Sequence, residues 1–266
     1  MGNALALSIM STASAATAPT TPSHHTATGS VAERLMGTPA VSDGLILPFQ
    51  PRWNPDGGRV TERNPDVAWQ PDIRPQERSA WLRSLGMHEI THTDFHPFYH
   101  EIVEVAQAPD PDEPASLLET LWPTFLLGHM LFCRAGVRIR AGSHVVCKDI
   151  AEHSRMYWAY RRSNRRPVDL SHGWGSNSQW ATDFRRDYVT GEAYVYNVDG
   201  RIDLNEDGRV FNIYGWGEID EADAPYNTRP VLIELLTHRC FTLTPERTDD
   251  EFPYNLTYRE PMPDRA

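Results

Sequence analysis

The sequence predicts an α+β fold, with a helical first half packed on an antiparallel β-meander in the second half and a disordered N-terminal tail. Three observations carry this expectation. Residues 75–85 and 116–132 read as helices, the first from its apolar spacing and the second from an apparent cap before an apolar run. From residue 184 onward, short apolar runs are separated by glycine-containing turns, the pattern of strands joined by hairpins. Before residue 45 the chain has too few large apolar side chains to offset the entropy of ordering. The expected division is a disordered tail over 1–44 and a single α+β domain over 45–266.

Taken in order, residues 11–28 are Ala, Thr, Ser and Pro with two histidines, a composition that stays solvated. Residues 45–73 are rich in proline and glycine, which predicts extended, surface-wrapping segments with a turn at Asp56-Gly57-Gly58. In the first helix Ala80, Trp81 and Leu85 recur at helical spacing, and Gly86 stands where a C-capping glycine belongs. Ser116-x-x-Glu119 has the form of a capping box and opens an apolar run to Phe132, so a central buried helix is expected there, bent or divided at Pro123. Val137-Arg138-Ile139-Arg140 alternates, Ala141-Gly142-Ser143 turns and residues 144–147 continue, which reads as a β-hairpin. Residues 152–166 read as an amphipathic helix, basic along Arg155, Arg162 and Arg166 and aromatic along Tyr157, Trp158 and Tyr160.

The meander is expected over residues 184–189, 193–198, 201–204 and 209–214, with turns at Thr190-Gly191, Asp199-Gly200 and Asp207-Gly208. Asp-Gly supplies the positive φ that tight hairpins demand. Residues 231–236 form a short apolar run that periodicity leaves open between strand and helix. The tail from Pro245 is polar and proline-rich, and no internal repeat is visible.

The net charge of −11 argues against a protein that coats nucleic acid, because phosphate binding needs a positive surface, although a local basic patch can survive inside an acidic whole. Arg155 to Arg166 interleaves arginines with aromatics, yet an amphipathic helix explains that pattern without nucleic acid. Lys148 is the only lysine, an arginine bias that suits a GC-rich bacterial genome. Cys133, Cys147 and Cys240 leave at least one thiol unpaired and form no Cys-x-x-Cys pair, which points to a reducing cytoplasm and away from a thiolate zinc site. Residues 1–18 resemble a short export signal but have no Lys or Arg before the apolar core, so a cytoplasmic location is expected. No stretch approaches the roughly 20 apolar residues of a membrane span.

The densest candidate site is residues 171–188. Trp174 and Trp180 offer flat walls, His172, Asn177 and Gln179 offer donors and acceptors, and Asp183, Arg185 and Arg186 add paired charge. Gly173 and Gly175 keep the first half of the stretch irregular. A buried Arg186 needs a carboxylate, for which Asp169 is the candidate, and His172 has no partner nucleophile in the sequence. The leading expectation is therefore a binding protein for an unknown protein or small molecule, including the possibility of an acidic neutraliser of a basic partner. No cofactor is expected under that reading.

The alternative is a zinc hydrolase. His88-Glu89-Ile90-Thr91-His92 matches His-Glu-x-x-His, in which two imidazoles on one helical face hold zinc and the glutamate takes a proton from bound water. His96 and His100 continue at the same interval. The context weighs against a helix: Gly86 ends the preceding one, Thr91 and Thr93 favour extended backbone, and Pro97 interrupts the run. On a strand, His88 and His92 would lie about 13 Å apart, too far to share one ion. Asp203-x-Asn205-x-Asp207-Gly208 follows the first half of a calcium loop, but Tyr214 stands where the bidentate glutamate is required and a hairpin turn accounts for the pattern.

Overall fold

A computed structural model describes residues 45–50, 52–53, 59–60, 72–157, 162, 164–165, 186–206, 227–245 and 255–263. The tail expected over 1–44 and the strand expected over 209–214 lie outside the described residues.

The helical first half is not found, and sheet dominates instead. Among the described residues seven strands form one sheet and three form a second, and β1 (Arg52–Trp53) and β2 (Arg59–Val60) pair as a separate two-stranded ribbon. The described α-helices are three and short. The first, α1 (Pro75–Ser84), sits where the apolar spacing placed it. Proline fills its first turn, Glu77 accepts the Arg74 amide at 2.8 Å, and Gly86 follows with φ of +83°.

The apolar run expected to be the central helix is instead one long bent hairpin. Its outgoing arm is β5 (Ser116–Trp122) and β6 (Thr124–Leu127), and its returning arm is β7 (Met130–Cys133) and β8 (Ala135–Ala141). Leu127 pairs with Met130 around a two-residue loop whose first member, Gly128, has φ of +59°, a conformation glycine adopts freely. Glu119 does not cap Ser116: it accepts a hydrogen bond from Arg138 across the strands at 3.0 Å.

Two features hid the strands from pattern reading. Pro123 has no amide hydrogen to give a ladder, and it falls between β5 and β6 where the hairpin turns a corner. The register of β5 against β8 also slips between Leu117 and Glu119 and again between Thr120 and Trp122. Each slip inserts an extra residue, Leu118 and then Leu121, so the period-two alternation that marks a half-buried strand is lost.

Because of the corner, one hairpin serves both sheets. Its tip joins β3 (His88–Ile90), β9 (Tyr188–Val189), β10 (Ala193–Tyr196), β11 (Ile202–Asp203) and β12 (Leu256–Pro261) in the order β11-β12-β10-β9-β7-β6-β3. Its base pairs with β4 (His100–Gln107), which runs parallel to β8, in the order β4-β8-β5. The alternation read at 137–140 holds: Val137 and Ile139 are buried, while Arg138 and Arg140 face outward to Glu104, Glu119 and Glu113. The strand continues no further into a second hairpin arm, since residues 143–145 turn and α2 (Lys148–His153) follows. The helix therefore begins earlier than the expected 152–166 and residues 154–157 are irregular, while Trp158, Tyr160 and Arg166 lie outside the described residues.

The free edge of β4 is covered by side chains. Glu152 of α2 accepts the Val105 amide at 2.8 Å, Asn164 donates to the Val103 carbonyl, and Arg165 donates to the carbonyls of Ile102, Ala151 and Ser154. The expected meander is also interrupted. β9 and β10 pair as a hairpin, but β12 from the polar tail lies between β10 and β11 and runs parallel to β11. The undecided run at 231–236 belongs to α3 (Arg229–His238), whose Leu232, Leu235 and Leu236 are buried at helical spacing against Phe98, Tyr196 and Leu256.

At the corner, Trp122 lies opposite Gly136, is almost fully buried, and donates its indole N–H to the Arg134 carbonyl at 3.0 Å. A Cβ on Gly136 would stand 2.2 Å from the indole. Gly136→Ala is thus expected to lower the unfolding free energy by about 1–3 kcal/mol, the usual cost of overpacking. Gly191→Ala, where an added Cβ meets nothing within 4 Å, should change it by less than about 0.5 kcal/mol. Urea titrations of both variants make the comparison, and equal stabilities would contradict the packing described.

Candidate functional site

Beside this corner lies a cleft of about 310 Å³. Ser79 and Arg83 reach it from α1, Glu89 from β3, His92 from the segment between β3 and β4, His100 from the start of β4, and Thr120 and Trp122 from β5. Arg83 donates to Glu89, so the two charges at the cleft compensate each other. Each element is placed by a local cause. Gly86 turns the chain from α1 back into β3, and the β3–β6 ladder, with Glu89 opposite Phe125, holds Glu89 beside the hairpin corner.

The His-x-x-x-His spacing continues through the segment between β3 and β4, where two backbone amides fix two imidazoles. The His96 amide donates to His100 Nδ1 at 3.0 Å, and the Phe98 amide donates to His96 Nδ1 at 3.1 Å. A ring nitrogen that accepts an amide proton carries none of its own, so each neutral imidazole holds its proton on Nε2. His96 directs that side toward Glu260, 3.7 Å away. His100 is 2% exposed and lines the cleft, and no described protein group takes the proton from its Nε2. His92 stacks on Tyr99 with ring centroids 3.8 Å apart, meets His100 edge-on at 6.0 Å, and has its Nε2 buried with no hydrogen-bond partner among the described residues.

Burial sets the ionisation of this cluster. It pushes His100 down to about 4, with repulsion from His92 adding to it. His238 is likewise pushed down to about 4 by burial, and Phe95 lies between the two, stacked at 5.8 Å from His100 and 6.2 Å from His238. His92 and His96 are lowered by the same cause, against the opposing pull of Asp94 on the first and Glu260 on the second. At neutral pH the cleft thus presents uncharged imidazoles.

The residues singled out from the sequence are distributed as follows. Glu89 and His92 line the cleft, whereas His88 is exposed on β3 and does not. The His-Glu-x-x-His segment is a strand and its exit, so the helical face that would bring both imidazoles to one ion is absent. Among the described residues no group of three or more His, Cys, Asp or Glu side chains could hold a metal ion. Asn205 spends both ends of its amide on the backbone of Arg259, at 2.8 Å each, and Asp203 accepts the Asn205 amide. Arg186 pairs through two hydrogen bonds, at 3.0 and 2.6 Å, with Asp199. Its expected partner Asp169, and His172, Trp174, Asn177, Gln179, Trp180, Asp183 and Arg185, lie outside the described residues. Sequence reasoning missed Trp122 and His100 as cleft residues. The signal for the latter was the fourfold histidine interval itself, read as a ligand series.

No family model matches the chain, and neither a curated protein nor a solved structure matches it. Among the described residues no helix is long and apolar enough to cross a membrane.

The buried imidazoles make stability depend on pH. A histidine in the unfolded chain titrates near about 6.5, and His100 in the fold near about 4. The unfolded chain therefore takes the proton first, so the contribution is complete above about 6.5 and is lost as pH falls towards 4. For this ring the loss amounts to about 3 kcal/mol. His100→Asn keeps an oxygen to accept the His96 amide but cannot titrate, and its urea midpoint should fall less between pH 7 and 4.5 than that of the parent protein. Parallel pH dependences would contradict a buried neutral His100.

Proposed function

We propose that the chain is a binding protein for a small ligand that enters the cleft bounded by α1, β3 and the hairpin corner. The observation that carries this reading is the imidazole of His100, held by the His96 amide on one side and lining the cleft with a proton that no described protein group accepts on the other. A donor held in place at the cleft wall exchanges water for a ligand acceptor, a net gain of about 0.5–1.5 kcal/mol for one hydrogen bond. The volume, about 310 Å³, falls at the small end of ligand sites. Aromatic, aliphatic and neutral polar groups line it together, as ligand sites require. A role as an acidic neutraliser of a basic partner rests on the net charge of −11 alone, and concavity favours the small-ligand form of the binding reading.

The hydrolase reading draws less support from the same geometry. With its Nδ1 accepting an amide proton, His100 presents Nε2–H, which is a donor and not a metal ligand. Glu89 is engaged by Arg83.

Thr120 is exposed and lines the cleft, so Thr120→Trp should obstruct it without disturbing the core. In thermal-shift screens against a library of small metabolites, at least one compound should raise the melting temperature of the parent protein. The same compound should fail with Thr120→Trp while the ligand-free melting temperature is preserved. Equal shifts in both proteins, or no active compound, would contradict the reading.

A further inference from the structure

The chemistry of the cleft walls narrows what such a ligand is. Among the described residues, the only charged side chains that line the cleft are Arg83 and Glu89, and they bind each other. The remaining polar groups at its walls are neutral: the imidazoles of His92 and His100, the hydroxyls of Ser79, Thr91 and Thr120, and the amide of Gln76. Burial keeps both imidazoles uncharged at neutral pH. A ligand ion moving from water into this setting loses hydration, and no free counter-charge stands there to compensate. An uncharged ligand avoids that loss.

The donor pattern adds a second constraint. His100 Nδ1 is occupied by the His96 amide, which leaves Nε2–H as a donor on a ring that is 2% exposed. The complement of a donor fixed at a cleft wall is an oxygen or nitrogen that accepts. Ile90, Leu121, Pro123 and Trp122 supply apolar surface around it, suited to the hydrocarbon part of such a molecule.

We infer that the cleft takes an uncharged molecule whose carbonyl oxygen accepts a hydrogen bond from His100 Nε2–H, the remainder of the molecule lying on the apolar wall. This rests on the small-ligand reading given above and specifies its ligand class. Neither cation nor anion enters with comparable affinity, because Arg83 and Glu89 already neutralise each other and leave little net charge to attract either.

The test uses the full chain labelled with ¹⁵N-histidine and four probes of similar size: ε-caprolactam, hexanoate, hexylammonium and 6-aminohexanoate. Caprolactam should move the His100 Nε2 resonance in a saturable way, while the three charged probes should bind at least about tenfold more weakly. In His100→Asn, whose side chain is too short to place a donor where Nε2–H stood, caprolactam affinity should fall about tenfold, the loss of one hydrogen bond. Thr120→Trp should abolish the response and serves if His100→Asn does not fold. Tighter binding of any charged probe at the cleft would overturn the ligand class while leaving the small-ligand reading intact. Caprolactam affinity unchanged in both variants would also overturn it, since the molecule would then be bound elsewhere. A response to none of the four probes would overturn the inference, and the metabolite screen would then decide the small-ligand reading by itself.

Discussion

The structure depends on one buried ion pair. Arg134 is the single residue between β7 and β8, the point where the returning arm of the hairpin passes from one sheet to the other. Its side chain and that of Asp187 are each 1% exposed and meet at 2.9 Å. Two charges withdrawn from water this far are stabilising only if their geometry is good and their other hydrogen-bonding positions are used. Here they largely are. Arg134 Nε donates to the Pro97 carbonyl at 2.9 Å, while Asp187 accepts the Asn197 amide at 2.9 Å and a longer contact from Arg239 at 3.4 Å. Burial alone would raise the Asp187 carboxyl, but Arg134, Arg239 and the Asn197 amide outweigh it and hold the group below its ordinary value. The pair thereby joins the hairpin corner, the approach to β4, the start of β9, the end of β10 and the end of α3.

The same corner places the cleft. Thr124 donates its hydroxyl to the Tyr99 carbonyl at 2.6 Å, and the Ala135 amide donates to that carbonyl at 2.8 Å. With Arg134 on Pro97, these bonds fix the four residues before His100, and the His96 amide then orients the imidazole. Trp122 forms one wall because its indole is tied to the Arg134 carbonyl and seated over Gly136. Fold and site are therefore held by one set of interactions, so a change at the corner moves both. Rigid support of this kind is what a preorganised binding site requires.

What could be read from the sequence was local. The helix at Pro75–Ser84 carries its own punctuation in proline, Glu77 and Gly86, and the alternation at 137–140 is intact because no bulge interrupts it. The run from 116 to 132 misled because its deciding features are non-local. Glu119 acts through Arg138, nineteen residues away, and the two bulges make sense only against β8. The placement of β12 beside β10 joins segments more than sixty residues apart, and nothing in the polar tail announces it. Charge patterning drew attention to Arg186, whose partner proved to be Asp199, while the neighbouring Asp187, which is the buried one, was not singled out. An ionic residue destined for the interior has no distinct local signature, because its partner, Arg134, stands fifty-three positions away. Histidine spacing marked the right segment, but the amide bonds that set the tautomers, and so the chemistry, belong to the folded chain.

The claim that the Arg134–Asp187 pair holds the corner is tested most directly by a double-mutant cycle. Unfolding free energies would be measured in urea for the parent protein, Arg134→Met, Asp187→Asn and the double variant. Each single change leaves a buried charge without its partner and is expected to cost about 3–5 kcal/mol, while the double variant should be more stable than the sum of the two losses implies by at least about 1 kcal/mol. Two small losses that simply add would contradict the account.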